Sequence, residues 1–390
     1  MLTLVNGNGA PGIPSADGRT VLPIARRTAG PGVQNSCFFR SGPLEGRRKA
    51  LVKITDRCDL HCAHCFVSAT REGSDMPASA LSPPVMKRFA EARVANVTLT
   101  GGEPFVHPEL HIIAAAFVDA GMDVTICTNG VSITDADVRL LRDLERVRVK
   151  VSLDGAREQS HGRFRGNPAS FEATMRNTHA LADAGLLKGI LCTPNALGSV
   201  DEYEQLYSIA RDLEVEYLLM NPLSSFGRGT LSRARLEASA AMMTATRRSI
   251  EATSAASPET EAVFIRFPDQ TQPLSSCIAG DVIYVFADGK ATVCPYLVFA
   301  ARNPGALHQE DEFIVGNIFD DVDFAERLDA YRFGERYGMG ANSTCNGCGL
   351  TDSCGKGCPA AVIAAGGRIG DLDVEVCPVG GPGEGTGAPA

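Results

Sequence analysis

The chain has 390 residues, 44% of them hydrophobic, and a formal net charge of −9, a length that suits two or three domain-sized units around a sizeable core. No stretch approaches the ~18 uncharged apolar residues of a membrane span, and the acidic balance, 6% aromatic content and absence of Trp argue against nucleic-acid binding through a basic or stacking surface. Thirteen cysteines, an odd number with no secretory signal ahead of them, do not suit a disulfide scaffold and point to metal ligation in a reducing cytoplasm.

Residues 1–50 are rich in Gly, Pro, Ser and Arg and hold seven Lys/Arg against two Asp/Glu. They read as an extended basic arm, either solvated or laid over an acidic substrate. From Leu51 strands and helices alternate. Strands are predicted over Leu51–Thr55, Asn96–Thr100, Met122–Thr128, Val147–Leu153, Leu187–Thr193 and Val215–Asn221. Between them, helices are predicted from Pro83 with Ser82 as N-cap, and over Pro108–Ala120, Asp135–Leu144, Ala169–Ala184 and Val200–Leu213. Six such units imply an α/β fold with a parallel sheet, either doubly wound or a partial βα barrel, over residues 51–230. In both architectures the chemistry sits at the carboxyl ends of the strands. A long helix is expected over Arg233–Ser254, inside a helical linker at 231–276. Residues 277–378 carry seven cysteines, short helices and many glycines, and read as a second domain. The tail at 379–390 is low-complexity Gly/Pro, expected to be disordered.

The first cysteine group follows the first strand as C-x3-C-x2-C: Cys58, Cys62 and Cys65 in CDLHCAHC. Three thiolates on one tight loop can bind three irons of a 4Fe–4S cube and leave the fourth open. A zinc site would recruit a fourth ligand, and His61 or His64 could supply it. On spacing alone both readings stand. Further along come GGEP at Gly101–Pro104, TNG from Thr128 and SLDG from Ser152, each at a predicted strand end.

In order and spacing these motifs, over about Leu51–Asn221, resemble the radical S-adenosylmethionine (SAM) enzymes. The resemblance implies a partial (β/α)6 TIM-like barrel and a cluster whose open iron chelates SAM. It further implies reductive cleavage of SAM to a 5′-deoxyadenosyl radical that abstracts a substrate hydrogen. By the same resemblance Gly101 and Gly102 let the backbone approach the methionine amino group, Glu103 accepts from that ammonium, and Pro104 fixes the turn. His64 stands where the family usually has an aromatic beside the adenine. Thr128, Asn129, Ser152 and Asp154 are candidates for the ribose or the methionine carboxylate, although Asn-Gly and Asp-Gly are also plain turn formers. HGRFRG at His161–Gly166 resembles a segment of peptide-modifying members, in which Arg165 could bind a carboxylate or make a helix-entry salt bridge.

The second group comprises Cys277, Cys294, then Cys345, Cys348, Cys354 and Cys358 as C-x2-C-x5-C-x3-C, and Cys377. Zinc-ribbon binding is the structural alternative. The pattern resembles the SPASM domain, a small, loop-rich iron–sulfur extension of radical SAM enzymes. The resemblance assigns Cys345, Cys348, Cys354 and Cys377 to one auxiliary cluster and Cys277, Cys294 and Cys358 to the other, for three 4Fe–4S clusters in all. The second set lacks a fourth cysteine, so either its cube keeps an open iron or a residue such as Asp281 completes it. Of the remaining cysteines, Cys127 and Cys192 lie in strands and read as buried hydrophobes, whereas Cys37 lies in the arm and could be an eighth ligand. In sulfatase-maturating relatives an Asp follows the second cysteine of this domain; here that position is Pro295, which argues against formylglycine formation. Asp281 and Tyr296 are the candidate bases.

The expected activity is therefore oxidation through auxiliary clusters, most plausibly crosslinking or a similar modification of a ribosomally made peptide. A separate leader-peptide-binding protein and an electron donor such as flavodoxin or ferredoxin would be partners. The alternatives are dehydrogenation of a sugar or aminoglycoside, porphyrin side-chain chemistry, or a non-catalytic zinc adaptor. Oxygen-sensitive clusters without a signal suggest the cytoplasm, with neither nucleic acid nor membrane as partner.

Overall fold

A computed structural model describes residues 29–255, 259–267, 269 and 271–380, together with the short strand segments 13–14, 20–21 and 25–27. Ten strands among them form one sheet. Their ranges are β1 Arg48–Thr55, β2 Val94–Gly101, β3 Asp123–Thr128, β4 Val147–Ser152, β5 Leu187–Cys192, β6 Tyr217–Met220, β7 Glu261–Phe264, β8 Val282–Val285, β9 Lys290–Thr292 and β10 Ile314–Asn317. The order is β7-β6-β5-β4-β3-β2-β1-β8-β9-β10. All pairings from β7 to β8 are parallel, and β9 and β10 are antiparallel. This sequential parallel arc, with helices crossing between successive strands from β1 to β7, is consistent with a partial TIM barrel, the architecture the motif resemblance implied and one of the two that the alternation left open.

The crossover helices are α1 Pro83–Glu91, α2 Leu110–Asp119, α3 Asp135–Arg142, α4 Ser170–Asp183 and α5 Val200–Asp212. Local signals start them: Pro83 and Pro84 open α1, a capping box of Thr134 and Asp137 opens α3, and the Ser199 hydroxyl accepts from Glu202 N at 3.3 Å before α5. On β3 and β4 burial alternates. Val124, Ile126, Val147, Val149 and Val151 pack into the core, and their neighbours Cys127 and Ser152 line the lumen.

Three expectations change. The predicted helix Arg233–Ser254 is two helices, α6 Arg228–Leu236 and α7 Ala240–Ser254. Glu237 turns extended and Ser239 caps a fresh start by accepting from Met242 N at 3.2 Å. The chain then adds β7, a seventh parallel strand beside β6 that the sequence reading missed. The arm is not a solvated leader from residue 29 onward. Ala29, Gln34, Ser36, Cys37, Phe38 and Phe39 are buried, and a short strand at Ala25–Arg27 pairs with Ser41–Pro43. Most of residues 1–28 and the tail at 381–390 lie outside the described residues.

The cysteine-rich region is joined to the barrel through β8, which pairs in parallel with β1. Helices α8 Pro295–Ala301 and α9 Pro359–Ala364 pack together. Each begins directly after a cysteine, Cys294 or Cys358, with Pro in the first turn.

Candidate active site

The loop after β1 presents Cys58, Cys62 and Cys65, and its carbonyls are held from outside. Arg228 donates from Nε to Cys62 O (2.8 Å) and from Nη1 to Ala69 O (2.7 Å), and its backbone N–H donates to Cys65 O (3.0 Å). Ser232 Oγ donates to Ala63 O at 2.8 Å, and Ala63 N donates to Phe164 O at 3.0 Å. The HGRFRG segment therefore braces the cysteine loop.

GGEP crosses the root of the same loop. A Cβ on Gly101 would stand 2.4 Å from Thr55 O, and one on Gly102 would stand 2.1 Å from Arg57 O. Both glycines are thus required by the close passage of β1, a reason independent of any ligand. Gly102 N and Glu103 N donate to Thr55 O and Arg57 O, each at 2.9 Å. Pro104 is buried in the turn that follows and is not among the residues lining the cavity.

Glu103 is buried and ties two strand ends together. Its carboxylate accepts from Phe105 N (3.0 Å), Thr128 Oγ1 (2.7 Å) and Asn129 N (2.7 Å). Burial, followed by the nearby charge of Asp59, pushes its carboxyl up to about 7 against these donors. Asn129 in turn donates to Asp59 Oδ1 at 2.7 Å and lies 4.0 Å from Cys58 Sγ.

Beyond β4, Asp154 meets Arg165. Asp154 Oδ2 lies 2.8 Å from Arg165 Nε and 3.7 Å from His64 Nε2. Burial alone would raise the Asp154 carboxyl, yet Arg165 and then His64 hold it below the usual range. His64 stacks on Phe164 with centroids 4.2 Å apart at 7°. Burial lowers its imidazole to about 4, so it is neutral near pH 7. Arg165 thus pairs with a buried carboxylate on the wall, neither free in solvent nor in a helix-entry bridge.

These groups surround one cavity of about 280 Å³, lined by Cys58, Cys62, His64, Cys65, Gly101, Gly102, Glu103, Thr128, Asn129, Ser152, Asp154 and Arg165 among others. Three of its lining residues keep a buried polar atom without a hydrogen-bond partner: His64 Nδ1, Thr98 Oγ1 and Asn221 Oδ1. Orphaned polar atoms converging on one space are what a polar ligand would satisfy. Burial raises the Cys62 thiol to about 11 and raises Cys58 as well, so a metal bound here would have to displace their protons. Cys127 and Cys192, expected as core, also line this cavity. Arg228 and Asn221 were missed in the sequence; their one signal is their place just beyond β6, at the barrel's carboxyl end.

The remaining cysteines fall into two further groups. Cys277, Cys294 and Cys358 line one small space together with Cys37, and Cys345, Cys348, Cys354 and Cys377 line another. All thirteen are free thiols. Among the described residues no three His, Cys, Asp or Glu are arranged to hold a metal ion directly. Asp281 is exposed and lines none of these spaces. The turn carrying its N–H to Ile278 O (3.1 Å) points it outward just before β8, so the structure supports it neither as ligand nor as base. Tyr296 does line the first two spaces, but burial holds its phenol far above the ordinary value.

Residues 52–210 match the family described as Radical SAM superfamily. The AdoMet-dependent heme synthase of Methanosarcina barkeri is 33% identical over 166 residues, 41% of this chain and 46% of that protein, so the chain spans less than half of that relative. The mycofactocin maturase MftC of Mycobacterium ulcerans is 26% identical over 347 residues, covering 87% of this chain and 88% of its own. Among solved structures, Streptococcus suis SuiB bound to precursor peptide SuiA superposes with a TM-score of 0.64 at 17% identity, over 84% of this chain and 75% of that one. Residues 52–210 of this chain thus match a radical SAM family model, and its fold is shared with SuiB.

Proposed function

We propose that this radical SAM enzyme oxidises a ribosomally made peptide, forming a crosslink or a similar bond, and uses two auxiliary 4Fe–4S clusters besides the one that binds SAM. The observation that carries the reading is the partition of all thirteen cysteines among three spaces, the first of which also gathers the orphaned polar atoms. The peptide substrate is supported by the near full-length match to a maturase. When bound, SAM and the clusters supply a 5′-deoxyadenosyl radical for hydrogen abstraction and an acceptor for the electron then left on the substrate.

The residues have separate tasks. Cys58, Cys62 and Cys65 hold the SAM cluster, and Arg228 fixes the shape of their loop. Glu103 accepts from the methionine ammonium while Thr128 and Asn129 keep its carboxylate aimed. Asp154 and Arg165, a buried and oppositely charged pair, offer an acceptor and a donor to the ribose and methionine carboxylate, with Ser152 beside them. His64, backed by the stacked Phe164 ring, provides a flat face for the adenine. Cys345, Cys348, Cys354 and Cys377 hold the outer cluster; Cys277, Cys294 and Cys358 hold the inner one.

The test uses anaerobically reconstituted enzyme, SAM, a reductant and the short peptide encoded beside the gene, with any separate leader-binding protein. Loss of two hydrogens matched by 5′-deoxyadenosine is expected, and fragmentation locates the bond. 5′-Deoxyadenosine without any change in peptide mass overturns the peptide reading and favours a small molecule. Porphyrin chemistry is that second reading, favoured by the 33% identity over 166 residues to a heme synthase. Zinc in place of iron and sulfide would overturn both.

A further inference from the structure

We propose that Cys37, from the N-terminal arm, is the fourth thiolate of the inner auxiliary cluster, so that this cluster has no open iron. The inference rests on the SPASM reading of Cys277, Cys294 and Cys358. Those three leave one iron unassigned, and the sequence offered an open site, Asp281 or, from the arm, Cys37 as an eighth ligand. Cys37 is 4% exposed and lines the same small space as the other three thiols. No carboxylate or imidazole shares that lining.

The arm is built into this position. Gln34 N donates to Pro273 O at 2.8 Å, and Ser275 N donates back to Gln34 O at 3.0 Å. Ser275 Oγ accepts from both Ser36 N (3.1 Å) and Cys37 N (3.2 Å), two residues before Cys277. Arg266 Nη1 donates to Ser36 O at 2.9 Å and also binds Asp373. Asp373 Oδ2 accepts from Cys358 N at 2.9 Å. The backbones of Cys37 and Cys358 therefore hang on one buried ion pair, and Cys37 and Cys277 flank one serine. Such supporting groups are what fix metal ligands in place.

The alternative, a substrate atom on that iron, meets a wall. Phe38 and Tyr296 line both this space and the SAM cavity, with ring centroids 4.7 Å apart. A cube with four thiolates behind that wall exchanges electrons with the substrate and does not bind it.

The experiment uses the full chain with Cys58→Ala, Cys62→Ala and Cys65→Ala, which removes the SAM cluster and its own open iron. After anaerobic reconstitution this parent is expected to hold about eight irons in two clusters. Reduced and treated with ¹³C-cyanide, it should show no ¹³C coupling in its paramagnetic resonance. Adding Cys37→Ala should either create that coupling or lower the iron by about one with a 3Fe–4S signal. Cys37→Ser should keep about eight irons with shifted g-values, and Cys192→Ala, in the other cavity, should leave the spectra unchanged. Cyanide coupling already present in the parent overturns the proposal, whether or not the alanine variant folds, as does a Cys37→Ala spectrum identical to the parent. A parent without iron or sulfide overturns the SPASM reading itself.

Discussion

Asp373→Ala tests the frame behind the inner thiols. Asp373 and Arg266 side chains are each 1% exposed and meet at 2.8 Å on both carboxylate oxygens. Truncation leaves a buried guanidinium with Glu375 alone, at 2.6 Å and itself shared with Arg233. It also strands the Cys358 N–H. Removing one partner of a buried pair costs roughly 3–5 kcal/mol, and an orphaned buried N–H adds about 1–3 kcal/mol. Glu375 offsets part of this, so we expect a loss of about 3 kcal/mol, roughly two decades in the unfolding equilibrium. Anaerobic denaturant titration followed by circular dichroism reads it directly, since the chain has no Trp to report. Arg266→Met with Asp373→Leu should lose far less than the sum of the single changes, because an apolar pair leaves no buried charge. A loss below about 1 kcal/mol for Asp373→Ala, or full additivity in the double variant, would refute this reasoning.

Three further outcomes follow from the SAM cavity. Glu103→Gln should weaken SAM binding roughly 10- to 100-fold, the range for a hydrogen bond to a charged group, measured by equilibrium dialysis. Because burial and then Asp59 raise the Glu103 carboxyl to about 7, it keeps its proton below that pH and is a full anion only above it. Affinity for the SAM ammonium should therefore rise from pH 6 to 8 in the native enzyme, and the Gln variant should lose that slope. Gly102→Ala places a Cβ 2.1 Å from Arg57 O; displacement of the cysteine loop should remove about four irons per chain, while retention of all iron would show that the loop yields. Arg228→Met deletes two side-chain bonds to loop carbonyls and should slow SAM cleavage about tenfold or more, read as 5′-deoxyadenosine per minute, with auxiliary iron retained.

The strand–helix alternation was legible because its signals are local, although they left a barrel and a doubly wound sheet undivided. Alternating β-branched strands, Pro83 at a helix start and the Thr134–Asp137 capping box each act within a few residues. The cysteine loop and GGEP could be read for the same reason. What escaped reading depends on contacts far apart in sequence. Cys37-Phe38-Phe39 sits in a Gly/Pro-rich stretch, and its partner Ser275 is 238 residues from Cys37. Arg228 looks like a helix-start charge until its reach to Cys62 O, 166 residues away, is seen. Asp281 failed in the opposite sense: nearness to Cys277 in sequence suggested a ligand, but the turn before β8 sends it outward. The break before α7 carried a local signal in Ser239, which the apolar periodicity on both sides outweighed.

Two unused aromatic positions connect the thiol groups. Phe66 directly follows Cys65, and its ring lies 5.7 Å from Tyr296. Tyr296 lies 4.7 Å from Phe38, which directly follows Cys37, and also 5.5 Å from Phe226. A run of packed rings thus leads from the SAM-side thiols to the inner auxiliary thiols. Burial keeps the Tyr296 phenol protonated, which suits a spacer and not a base. On the reading proposed here these rings have two physical effects. They seal the radical cavity from the inner cluster, so that neither water nor substrate reaches its irons. They also hold the two clusters' ligands at a fixed separation, because Phe66 and Phe38 each directly follow a cysteine and Tyr296 stands two residues after Cys294. The arm closes this arrangement by supplying both a ring and a thiol, so the stretch that looked least structured in the sequence completes the wall between the two sites.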